Sequence, residues 1–234
     1  MKSYKQKTGP FSERPYFELN DIEITCSQEL RSLGLFPTDP SPIRIERFIE
    51  KRFKISPVYE DLPEGVLGYS RFGPKGVEAI VVSRALGEDE SRAAERRVTT
   101  TLAHETGHGL LHAHLFILGA PKRGLFGGEV TEPKILCRNE STLGAATGKK
   151  YDGRWWEFQA NQAIGALLLP RQLVERAVEL LLVSDGGFGL GRSLPTGDRE
   201  KAAALVAEVF DVNPAVARIR LQELYPVDRG QLTL

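Results

Sequence analysis

Apolar residues recur along this chain in two rhythms. Leu19, Ile22, Cys26, Leu30 and Leu33 follow helical spacing and predict a helix over 17–33, although Ile22-Glu23-Ile24-Thr25 can equally open a strand. Ser41-Pro42 then reads as a cap followed by Pro at the first helical position, with Ile45, Phe48, Ile49 and Phe53 on one face of a helix over 42–54. The rhythm shortens over 55–84. Val66–Ser70 and Glu78–Ser83 read as strands of a small antiparallel sheet, joined by a turn at Gly73-Pro74-Lys75-Gly76. The second strand is read as an ordinary sheet strand, the sharper alternative being one that pairs with an extended substrate.

Helical spacing returns over 92–117, 155–169, 171–183, 198–210 and 214–224, the last opened by Asn213 as cap and Pro214. Residues 1–14 read as a loose tail and 120–152 as a long irregular loop. The Gly-rich run 186–191 lacks the Lys of a phosphate loop and follows no strand, so it reads as a linker. The expected class is α+β and mainly helical, with the small sheet packed beside the 92–117 helix and a C-terminal helical hairpin. Three parts are expected: an N-terminal extension (1–40), a central domain (41–185) and a C-terminal segment (186–234) resembling a helix-turn-helix.

Composition narrows the function. Lys+Arg and Asp+Glu are both 31, and a net charge of zero counts against a nucleic-acid binder. No run reaches the length of apolar residues needed to span a bilayer, and the polar start lacks the core of a signal peptide. Two separated cysteines, Cys26 and Cys137, make no disulfide scaffold and suit reduced thiols in a cytosolic protein.

The chemistry concentrates in His104-Glu105-Thr106-Gly107-His108. On a helix, histidines four apart share a face and can hold one metal ion, and the Glu between them can serve the water beside it. Such a site needs a third ligand and an open position. His114 stands at the spacing of the HExxHxxGxxH pattern, but Leu111 replaces the needed Gly and the only Met is Met1. A continuing helix also turns His114 away. His112 diverges from the metal and suits an orienting or substrate-facing role, or simply a satisfied helix histidine. Glu157, on the second helix with Asn161 one turn later, would complete a His₂Glu set, with Asn161 hydrogen-bonding a ligating His. Its bland alternative is a solvated charge at a helix start.

The pairing of His104-Glu105-Thr106-Gly107-His108 and Leu110-Leu111-His112 with Trp156-Glu157-Phe158-Gln159-Ala160-Asn161 and Leu167-Leu168-Leu169-Pro170 resembles the ImmA/IrrE metallopeptidases. Phe210–Asn213 and Ala217–Leu221 resemble that family's closing segment. The resemblance implies a zincin-like, cytoplasmic zinc endopeptidase that cuts a helix-turn-helix repressor. It implies His104, His108 and Glu157 as ligands of Zn²⁺ and Glu105 as the catalytic acid and base. His112 or Tyr151 would donate to the oxyanion. A Cys137 thiolate capping the metal is a possible latency switch, set against an ordinary thiol. The alternatives are a DNA-binding regulator that uses Arg218 and Arg220 on phosphates, and a toxin–antitoxin-like partner module, each with a structural or inactive zinc site.

Overall fold

The computed structural model describes residues 2–5, 13–118, 134–138, 154–184 and 191–226. An antiparallel hairpin of β1 (Lys2–Lys5) and β2 (Glu13–Tyr16) opens the chain where a loose tail was expected. α1 (Leu19–Ser32) settles the ambiguity at Ile22 in favour of helix, because that register buries Ile22, Cys26 and Leu30 together. Glu18 and Asp21 form a capping box at its start. α2 (Ile45–Phe53) begins at Ile45 and not at Pro42. Ser41 turns its hydroxyl back onto the Asp39 carbonyl, so it does not cap the helix.

Four strands follow in the order β3-β5-β4-β6: β3 (Val58–Glu60), β4 (Val66–Gly73), β5 (Gly76–Ser83) and β6 (Lys134–Arg138). The β4–β5 hairpin turns where the glycines predicted it. Gly73 faces Gly76, whose φ of 110° lies in the region that glycine alone enters easily. The sheet is mixed and not purely antiparallel, since β3 pairs parallel with β5. β5 is an inner strand, as the ordinary-strand reading expects. β6 emerges from the stretch expected to be irregular throughout and pairs with β4, a long-range partner that local sequence cannot reveal.

After the short α3 (Arg84–Gly87) comes α4 (Arg92–Leu111), capped by Ser91, whose side chain accepts from the Ala94 amide. The single helix expected over 92–117 breaks at His112, with φ −121° and ψ −11°, and resumes as α5 (Ala113–Leu118). The break lets Leu115 join Phe72 and Trp155 in a cluster beside the main core. α6 (Trp155–Leu168) matches expectation. α7 (Arg171–Ala177) is shorter than the helix expected over 171–183. Beyond buried Val178 the chain makes a 3₁₀ turn and enters β7 (Val183–Ser184), which pairs with β8 (Arg192–Ser193). α8 (Arg199–Val209) and α9 (Pro214–Leu224) form the closing hairpin, and Asn213 caps α9 by accepting from the Ala215 amide.

The fold is α+β. α4 lies across the sheet so closely that a Cβ on Gly68 would stand 2.8 Å from Thr101. α6 packs on the other flank of α4, where a Cβ on Gly107 would stand 2.8 Å from the Ala163 methyl. α1 contributes Ile22, Cys26 and Leu30 to the same core as Leu167 of α6 and Val206 of α8. No helix among the described residues is long and apolar enough to cross a membrane.

Candidate metal centre

Two helices build the site. α4 presents His104 and His108 one turn apart toward α6, and α6 presents Glu157 from its first turn, flanked by buried Trp155. The two Nε2 atoms lie 3.0 Å apart. Glu157 sets Oε2 3.2 Å from His104 Nε2 and Oε1 3.8 Å from His108 Nε2. Both histidines are fully buried and Glu157 nearly so. Among the described residues, these three form the cluster able to hold a metal ion.

The donor set fits a divalent cation. Three ligand atoms around a tetrahedral ion at bond lengths of about 2.0–2.1 Å would stand about 3.3 Å apart. The observed separations of 3.0, 3.2 and 3.8 Å bracket that value. The rings are also turned correctly. His104 donates from Nδ1 to the Asn161 side-chain oxygen at 3.0 Å, which leaves its Nε2 lone pair facing the cluster. Asn161 thus stands where the helical spacing from Glu157 expected it.

Two carboxylates share this environment and respond in opposite ways. Burial opposes the charge on Glu157. The facing His104 and His108 rings outweigh that burial and hold the carboxyl well below the usual range. Burial dominates at Glu105, reinforced by the Glu157 charge. It pushes the pKa up to about 7 against the opposing pull of His104 and Ser70. Glu105 is fully buried, and its Oε1 atom has no hydrogen-bond partner. Burial also lowers the His108 and His112 pKa values, which favours neutral, ligand-ready imidazole.

Two further residues belong to the site and were not anticipated. Ser70, on β4, donates to Glu105 Oε2 at 2.5 Å and is fully buried. Gln159, on α6, meets His112 at 2.9 Å. A serine in a β-run and a glutamine in an apolar helix carry no signal of their own.

His112 lies within hydrogen-bonding distance of His108, 3.0 Å between Nδ1 atoms, and so stands behind a ligand. His114 is not among the clustered groups. Tyr151 lies outside the described residues, as does the side chain of Cys137. Arg220 is fully buried against Glu23 and Glu223, so the expectation that it could reach a phosphate fails. Arg218 is paired with Glu200 at 2.9 Å.

No protein-family model matches the chain, and no curated protein matches it. Among solved structures it is similar to a Mycobacterium tuberculosis transcriptional regulator, at 18% identity and a TM-score of 0.46. That likeness covers 90% of this chain and 49% of the regulator, so the chain spans about half of the regulator's length.

Proposed function

We propose that the protein is a zinc-dependent endopeptidase of the ImmA/IrrE type, with a zincin-like core, that cuts a cytoplasmic protein substrate of the helix-turn-helix repressor class. One observation carries this reading: the His104, His108 and Glu157 ligand atoms converge within 4.8 Å of one another beside a buried Glu105 that has a partnerless oxygen and a pKa near 7. Three protein ligands suit a catalytic zinc site, whereas structural sites are closed by four. Zinc, when bound, would supply Lewis-acid polarisation of water and of the scissile carbonyl.

Glu105 has the character that proton transfer requires. A carboxyl titrating near neutral pH can take a proton from the attacking water and return it to the leaving nitrogen. Ser70 holds one Glu105 oxygen and leaves the other for that exchange. Glu157 stays ionised as a ligand, with Asn161 steadying His104 beside it. Glu105→Gln should retain zinc and lose peptide cleavage. The assay is zinc content together with cleavage of repressors encoded beside this gene, and wild-type cleavage by the variant would reject the mechanism.

Full burial of His104, Glu105 and His108 favours a second reading, a regulator in which the metal is structural. Under it, Glu105→Gln and wild type would be equally inert toward every substrate. Burial withdraws Arg220 from the phosphate contact such a regulator was expected to make, whereas Arg218, in a surface pair with Glu200, stays about half exposed.

A further inference from the structure

A file of buried polar side chains leads from the metal centre to the N-terminal hairpin. His108 Nδ1 lies 3.0 Å from His112 Nδ1, and His112 Nε2 lies 2.9 Å from Gln159 Oε1. The Gln159 amide then donates to the Pro15 carbonyl of β2 at 3.1 Å. His112 is 0% exposed and Gln159 4%. The Trp155 ring stands edge-on to His112 at 5.5 Å.

The end of this file dictates its direction. A backbone carbonyl only accepts. Gln159 must therefore turn its NH₂ toward Pro15 and its oxygen toward His112. That oxygen also only accepts, so His112 carries its proton on Nε2 and offers a lone pair at Nδ1. His108 must then donate from Nδ1, which leaves its Nε2 unprotonated toward His104 and Glu157. The reverse order would set two acceptor oxygens 3.1 Å apart at Pro15 and place a proton where the metal binds.

We propose that His112 and Gln159 are positioning residues whose proton order, set by the Pro15 carbonyl, presents His108 Nε2 as an unprotonated metal ligand. This rests on the metal-centre reading above. It recasts His112 as an orienter of a ligand, with no contact to substrate required. Docking of β2 and metal binding are thereby coupled, and such coupling is reciprocal.

The test uses the full chain and zinc alone. Long-range proton–nitrogen NMR of the histidine rings in the zinc-loaded protein should find His112 protonated on Nε2; protonation on Nδ1 overturns the proposal. Competition against a chelator should show 10–100-fold weaker zinc binding in Gln159→Leu and His112→Phe, about the cost of losing a group that orients a ligand. In Gln159→Leu the His112 ring should also lose its single tautomer, a change that general loosening of the fold would not produce selectively at that ring. Wild type that binds no zinc would remove the metal reading and this inference together. Zinc binding that needs Glu157 but is unchanged in Gln159→Leu would remove this inference alone.

Discussion

Glu105 and Glu157 show how one buried space gives the same side chain two characters. Both lose hydration, which alone would keep both protonated. Glu157 faces two imidazole nitrogens at 3.2 and 3.8 Å and is held well below its usual range, while Glu105 receives a hydrogen bond from Ser70 and sits near neutrality. Pairs of groups pushed apart in this way mark acid–base assignments. Glu157→Ala should abolish metal retention, measured as zinc per chain after dialysis; undiminished content would reject it as a ligand. Ser70→Ala removes a hydrogen bond to a charged group, worth about 1.5–3 kcal/mol. If half of that is felt in the transition state, turnover falls about four- to thirteen-fold with zinc content unchanged. Equal turnover in the two proteins would show that Glu105 needs no such support.

The site exists because α4 and α6 approach closely, and Gly107 permits that approach. A Cβ there would stand 2.8 Å from the Ala163 methyl and 3.2 Å from the Ala160 backbone. Alanine would improve helix propensity by about 1 kcal/mol. Overpacking against another helix costs about 1–3 kcal/mol, and a methyl group and backbone atoms cannot swing aside as a long side chain could. Strain should win. Gly107→Ala should lower the melting temperature and weaken zinc binding, because His108 and Glu157 separate with the helices. A more stable variant with intact zinc affinity would show that the helices shift without cost. A break in the helix falls at His112. It turns α5 so that Leu115 meets Phe72 and Trp155, which a straight helix would not achieve.

Arg220 ties distant parts of the fold together. From α9 its Nε donates to the Leu169 carbonyl at the end of α6, and its guanidinium pairs with Glu23 of α1 and Glu223. Gly165 gives it room, since a Cβ there would lie 3.0 Å from the Arg220 Cδ. Truncating one member of a buried charge network costs about 3–5 kcal/mol, because the partners are left charged and dry. That is a large share of the roughly 5–15 kcal/mol that holds a domain folded. Arg220→Ala should therefore unfold at markedly lower denaturant than wild type, and a midpoint shift within error would refute the role. Metal adds to the same balance. Zinc at about 100 times its dissociation constant stabilises the folded chain by about 2.7 kcal/mol. Chelation should lower the melting temperature of wild type but not of Glu157→Ala.

The helices, the β4–β5 hairpin and the His104/His108 pair were legible because each depends on periodicity or on neighbours a few residues away. Asn213 and Pro214 open α9, and Gly76 turns the hairpin, for reasons local to those residues. Glu157 and Asn161 could be nominated from spacing on one helix, but their meeting with α4 is a tertiary event. Elsewhere the deciding contact lies far along the chain. The pairing of β6 with β4, the reach of Ser70 to Glu105 and the file from His108 to Pro15 each join residues separated by tens of positions or more. Arg220 read as a surface cation until packing buried it. Sequence determined which groups were available for chemistry and which segments would coil or extend. The tertiary structure alone decided which groups lose water together, and that shared burial sets charge, proton order and readiness for a metal.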